Sequence, residues 1–217
     1  MKELKYEKYP KDNFKPDSLI VLMLGIGADA FDLLSLAKHW STKLNKTQFY
    51  SLHAPLPYTL SSSWRQWFCL EDRDQTRILE EINEIKPLII NFLEKKLFEK
   101  KLTFENLVLV GFSQGTMVAL NIGLSMNKKI KGILGYSGGI ILTKSGKIII
   151  NSKPNICLIH GIDDDIVPKK MMEVTEVILK ENNLLIETHL IQNLGHSINN
   201  QALEIGEKFL VKYLLKW

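Results

Sequence analysis

Short apolar runs alternate along this chain with segments whose apolar residues return every three to four positions, and that alternation restricts the fold more than any other feature. Ser18 to Leu24 (SLIVLML) is a continuous apolar run, which suits a strand buried on both faces. It breaks at Gly25-Ile26-Gly27, and a helix is expected next, with Asp29 or Asp32 near its start and Phe31, Leu33, Leu34, Leu36, Ala37 and Trp40 along it. Further strands are expected over Gln48–Leu52, Asn106–Val110, Lys131–Tyr136, Ile156–His160 and Leu184–Leu190. Helices are expected over Thr76–Phe98, broken or bent at Pro87, then over Thr116–Met126, Lys169–Lys180 and Gln201–Trp217. Strand and helix in repeated alternation imply an α/β chain with a mostly parallel central sheet covered by helices on both faces. Pro55 and Pro57 argue against regular structure in the aromatic-rich stretch from His53 to Phe68, which reads as a long loop. Residues 1–17 read as a polar leader, and Thr143–Lys153 around Gly146 as a surface excursion or short hairpin. No internal repeat or domain boundary interrupts the rest, so one domain over residues 1–217, without a large lid, is expected.

Composition narrows the function classes. A formal net charge of +4 on 217 residues is too mild to suggest nucleic-acid binding. Two cysteines make no disulfide framework, and no cysteine/histidine spacing suggests zinc. No run reaches the roughly 18 apolar residues that would span a bilayer, and no signal-like stretch follows the first lysines, so a cytoplasmic location is the default expectation.

The chemistry concentrates in three places. After the strand ENLVLV comes Gly111-Phe112-Ser113-Gln114-Gly115, followed by helical periodicity: a Gly-x-Ser-x-Gly turn with a strand before it and a helix after it. In that context Ser113 is the candidate nucleophile, its hydroxyl exposed by a strained turn whose glycines leave room for close backbone approach. A serine hydroxyl needs a base, and the base needs an acid to fix its tautomer. His196, in the loop between the last strand and the closing helix, is better placed than His39, His53, His160 or His189. Between them, Asp163-Asp164-Asp165 follow a strand end; the residues alone select this region as the acid and leave the choice among the three open. The run lacks the spacing of a calcium loop, so no metal is expected, and His160 is expected to tie the loop. The backbone N–H of Gln114, at a helix start, is one donor for the developing oxyanion, and the loop Leu24-Gly25-Ile26-Gly27 should supply another.

Taken in order, Gly111-Phe112-Ser113-Gln114-Gly115-Thr116-Met117, His160-Gly161-Ile162-Asp163-Asp164-Asp165-Ile166-Val167-Pro168 and Gly195-His196 make the chain resemble the phospholipase/carboxylesterase family of small α/β-hydrolases. Ala54-Pro55 and Arg65-Gln66-Trp67-Phe68 extend the resemblance over roughly residues 18 to 214. It implies Asp164 as the triad acid and the N–H of Ile26 as the second oxyanion donor. It also implies an acyl pocket bordered by Pro57 to Phe68, which Tyr58, Leu60, Trp64, Trp67 and Phe68 would line. The expected activity is cofactor-free hydrolysis of short- to medium-chain acyl esters. The alternatives are an acyl-protein thioesterase or lysophospholipase acting on lipid-like substrates, or a catalytically silent hydrolase fold that only binds. The sequence leaves room for a homodimer and locates no surface for one. One departure stands out: the family usually places histidine before the oxyanion-loop glycine, and this chain has Leu24.

Overall fold

The computed structural model describes residues 3–11, 14–27, 30–59, 61–70 and 74–215. Asp29, Leu60 and Trp217 lie outside the described residues. The elements in chain order are β1 (Tyr6–Tyr9), β2 (Ser18–Met23), α1 (Ala30–Trp40), β3 (Thr47–Leu52), β4 (Leu56–Tyr58), β5 (Ser61–Gln66), α2 (Gln75–Lys100), β6 (Leu107–Phe112), α3 (Gln114–Ser125), β7 (Gly132–Tyr136), β8 (Asn155–Gly161), α4 (Lys170–Glu181), β9 (Ile186–Ile191) and α5 (Asn200–Leu214). The main sheet runs β1-β3-β2-β6-β7-β8-β9, parallel throughout except for β1.

Alternation along β2 shows why both faces are covered. Leu19, Val21 and Met23 enter one apolar cluster with α2 and α3, while Ile20 and Leu22 enter the other with α1 and α5. Successive side chains on a strand point to opposite faces, so a strand without polar positions must be buried twice. β6 and β7 meet that condition and β2 does beyond Ser18, while β3 is buried as completely although it carries Thr47, Gln48 and Ser51.

The structure departs from the sequence reading in three places. The supposed polar leader holds β1, which pairs antiparallel with β3 from Tyr6 opposite Leu52 to Tyr9 opposite Phe49. Its Tyr-Glu-Lys-Tyr sequence is too polar to read as a buried strand, and it is one only because an edge strand needs a single partner. The loop around Pro55 and Pro57 contains the β4–β5 hairpin, with Pro57 opposite Arg65; a two-stranded ribbon tolerates proline where a central strand would not. Helix α2 continues through Pro87, so of the expected break or bend the break does not occur. An interior proline costs about 3 kcal/mol, whereas Ile78, Ile82, Ile85, Ile89, Phe92, Leu93 and Leu97 are all buried along α2, each contributing roughly 1.5–3 kcal/mol. The stretch after β7 is an irregular excursion, closed locally by the bond from Thr143 N–H to the Lys147 carbonyl.

Candidate active site

Ser113 stands between the carboxyl end of β6 and the first turn of α3, at φ 55° and ψ −119°, a backbone region that a non-glycine residue occupies only under constraint. The constraint comes from both sides. Ser113 N–H donates to the Tyr136 carbonyl on β7 at 2.9 Å, and the Thr116 hydroxyl donates to the same carbonyl at 2.7 Å. A Cβ on Gly111 would lie 2.3 Å from the Thr116 nitrogen, and one on Gly115 would lie 1.9 Å from the Met23 carbonyl oxygen. Backbone meets backbone at both contacts, so there is no flexible side chain to yield. Gly115→Ala is accordingly expected to destabilise the protein by about 3 kcal/mol or more, read as a lowered urea midpoint; an unshifted midpoint would mean that β2 can retreat.

His196 reaches the same cavity from the loop between β9 and α5, whose start is capped by Asn199 accepting from Ala202 N–H at 2.9 Å. Its Nδ1 lies 2.9 Å from Asp164 Oδ2. A carboxylate accepts only, so Nδ1 carries a proton, and in the neutral ring the lone pair is on Nε2. Of the three aspartates after β8, Asp163 and Asp165 are exposed and only Asp164 is buried. Its Oδ1 accepts from Val167 N–H at 2.8 Å and Ile166 N–H at 3.1 Å. Burial opposes ionisation of Asp164, but these amides and the His196 ring outweigh it and hold the carboxyl below its ordinary value. His160 Nε2 faces two acceptors, the Val167 carbonyl at 2.8 Å and Asp164 Oδ2 at 3.2 Å, so it carries the proton and ties the loop. Asp163 N–H donates to the Leu194 carbonyl at 3.0 Å, fastening the aspartate loop to the histidine loop. The other histidines lie elsewhere: His39 is beside Glu207, His53 beside Glu7, and His189 on β9.

Ser113 and His196 open onto a cavity of about 340 Å³. Gly25, Ile26 and Gln114 border it, and Leu70, Ile78, Met117, Ile141 and Met171 give it an apolar wall. Ser113 Oγ makes no hydrogen bond among the described residues. The same is true of the backbone N–H groups of Ile26 and Gln114. A strained serine, an imidazole and two backbone N–H groups with no partner among the described residues border one cavity, a set of groups suited to nucleophilic acyl transfer. A larger cavity of about 610 Å³ lies between β1 and α2. It offers no such set, and Lys96 within it is already engaged by the Tyr6 hydroxyl and Glu99.

A family model described as phospholipase/carboxylesterase matches residues 9–214. The chain belongs to that family. As a member of the phospholipase/carboxylesterase family it is a serine hydrolase of the α/β-hydrolase fold. It is similar to acyl-protein thioesterase 1 of Gibberella zeae, 26% identical over 212 residues covering 90% of each chain. A probable carboxylesterase of Arabidopsis thaliana, SOBER1-like, is 28% identical over 144 residues, 64% of this chain and 52% of that one. Among solved structures, esterase PE8 matches with a TM-score of 0.91 at 31% identity, over 98% of this chain and 100% of that chain. The Bacillus cereus carboxylesterase shares the fold, with a TM-score of 0.77 at 20% identity over 97% and 94% of the two chains.

The expected acyl-pocket residues need correction. Trp67 and Phe68 are fully buried in the core, where they cannot present a surface to a ligand. Tyr58 and Trp64 stack on each other at 5.9 Å on the β4–β5 hairpin and are not part of the cavity wall. Leu60 lies outside the described residues. The residues that do form the wall come from α2, α3, α4 and the segments after β5 and β7. The sequence does not single them out as a wall, because periodicity identifies an apolar face without showing that a gap is left beneath it.

Among the described residues, one group could present metal ligands: Cys157, Glu187 and His189, with ligand atoms within 4.8 Å of one another. Burial pushes the Cys157 thiol up to about 12, and Glu187 is already paired with Lys212 at 2.6 Å. The thiolate and free carboxylate that a metal needs are therefore both disfavoured, and the group is not part of the Ser113 cavity wall. No described helix is long and apolar enough to cross a membrane.

Proposed function

We propose that this family member is a carboxylesterase that hydrolyses short- to medium-chain acyl esters through an acyl-enzyme intermediate on Ser113. The observation that carries the reading is the convergence of Ser113 and the Asp164-oriented His196 on one small apolar cavity. In this reading the Ser113 oxygen attacks the acyl carbonyl carbon while His196 Nε2 takes its proton. The negative charge that forms on the carbonyl oxygen is held by the N–H groups of Ile26 and Gln114. His196 then returns the proton to the departing alkoxide as the ester C–O bond breaks. Water, activated by the same histidine, releases the carboxylic acid and regenerates the serine. Asp164 orients the ring and stabilises its cationic form throughout, and no step calls on a cofactor.

The cavity, at about 340 Å³, is near the lower end of the ~300–1,000 Å³ of small-molecule sites, which favours a short or medium acyl chain. Similarity to the acyl-protein thioesterases supports a second reading, in which the leaving group is a thiolate and the acyl chemistry is unchanged. Initial rates on nitrophenyl esters from acetyl to palmitoyl, each beside the matching acyl thioester, separate the two. The carboxylesterase reading expects an ester preference with a maximum below the long chains. A maximum at palmitoyl, or a thioester preference at every length, would replace it with the second.

A further inference from the structure

We propose that Trp67 is a positioning residue that braces both oxyanion donors from a single point in the core. The indole N–H of Trp67 donates to the Leu24 carbonyl at 2.9 Å, two residues before Ile26. The backbone N–H of Trp67 donates to Gln114 Oε1 at 3.0 Å, and Gln114 Nε2 donates to the Phe68 carbonyl at 2.8 Å. One dipeptide therefore holds the loop that carries the first donor and the side chain of the residue that carries the second. All four residues are buried, between 0% and 1% exposed. Without competing water, each bond is electrostatically stronger and each unmade one more expensive.

The bracing answers a specific deficit. Leu24 stands where the family usually has histidine, and a leucine side chain can neither donate nor accept. Here the loop is held through its backbone carbonyl instead, by a residue 43 positions further along the chain. The adjoining hairpin adds a second, weaker hold: Gly27 N–H meets the Arg65 carbonyl at 3.4 Å, and the Trp64 ring packs so closely on Gly27 that a Cβ there would lie 2.8 Å from it. Hydrogen-bond donors act on a transition state only when they are aimed before the charge develops, so displacement of the loop should slow chemistry without weakening ground-state binding.

This inference rests on the reading of Ile26 and Gln114 as oxyanion donors to an adduct on Ser113. The test replaces Trp67 with benzothienylalanine, in which sulfur takes the place of the ring N–H and the shape is kept, alongside Trp67→Phe. Active sites are titrated with a fluorophosphonate so that rates refer to folded enzyme. Removing a whole oxyanion donor costs about 10²–10³ in kcat; a misaimed one is expected to cost about tenfold to a hundredfold, with KM within about twofold. Affinity for a trifluoromethyl ketone, which forms a tetrahedral adduct, should fall by the same factor as kcat, while affinity for the product acid should not change. Wild-type kcat and ketone affinity in the benzothienyl enzyme would overturn the proposal. So would a parallel loss of product-acid affinity, which would mark Trp67 as packing alone. If Trp67→Phe does not fold, the benzothienyl enzyme still decides. A Ser113→Ala enzyme that hydrolyses ester at the wild-type rate would instead remove the reading beneath, whatever Trp67 does.

Discussion

Ser113→Ala is expected to lower kcat on a nitrophenyl ester by about 10⁶ while leaving KM within a few-fold and the fold intact. The size follows from what is lost. Without the oxygen there is no acyl-enzyme, and the proton that His196 would accept is gone with it. In the proposed mechanism the N–H groups of Ile26 and Gln114 still receive the oxyanion, so a residual acceleration of roughly 10³ over water should survive. The stability expectation has an equally local reason. Ser113 Oγ makes no hydrogen bond among the described residues, and the strained φ of 55° is imposed by backbone contacts that alanine also accepts. Steady-state kinetics with a thermal melt provide the check, and intact-mass detection of an acyl adduct in the wild type but not in the variant locates the intermediate. Turnover by the variant at the wild-type rate would remove Ser113 from the mechanism.

Asp164→Asn should reduce kcat by about 10⁴. An amide in place of the carboxylate can present N–H to His196 Nδ1, favouring the tautomer in which Nε2 holds the proton and cannot accept one from Ser113. The same variant should alter acid stability, with a sign set by the depressed carboxyl. Because the folded state holds Asp164 below its ordinary 3.8, its ionised form stabilises the fold. That contribution is fully present above the unfolded value and is lost as the pH falls through the lower folded value. Wild-type stability should therefore decline with acid across that window more steeply than that of Asp164→Asn. Urea midpoints at a series of pH values measure the slopes, and parallel curves would mean that the carboxyl does not gain its ionised state on folding. His196→Gln is the control for activity, since it removes the base while sparing the amide bonds from Val167 and Ile166 to Asp164.

How much of this was readable in advance depended on whether the governing interaction was local. β2, β6, β7 and β8 announced themselves because strands buried on both faces are mostly apolar, with Ser18, Asn155 and His160 confined to their ends. The Gly-x-Ser-x-Gly turn was readable because its residues form one strand–turn–helix unit in which Gly111 meets the Thr116 backbone, although Gly115 is required by the Met23 carbonyl of β2, a long-range contact that the pattern carries without naming. By contrast, Tyr-Glu-Lys-Tyr becomes β1 only because β3 offers an open edge, and Pro57 sits in a strand only because β4 and β5 form a ribbon of two. Neither partner is visible in the local sequence. The three aspartates after β8 are chemically identical as letters; the family resemblance pointed to Asp164, and the physical reason is the turn that aims two amides and an imidazole at it.

Trp67 and Phe68 illustrate the same division at the site itself. Aromatic residues beside a reactive loop suggest a substrate wall, yet these two are entirely buried, and the surface offered to a ligand comes from Ile78, Met117 and Met171 on three separate helices. By itself, the sequence determined the fold class, the order of the principal strands and helices and the family resemblance, because hydrophobic period and turn chemistry act over a few residues. The tertiary structure alone decided which apolar residues line a cavity and what holds Leu24 in place, because each depends on groups brought together from tens of residues apart.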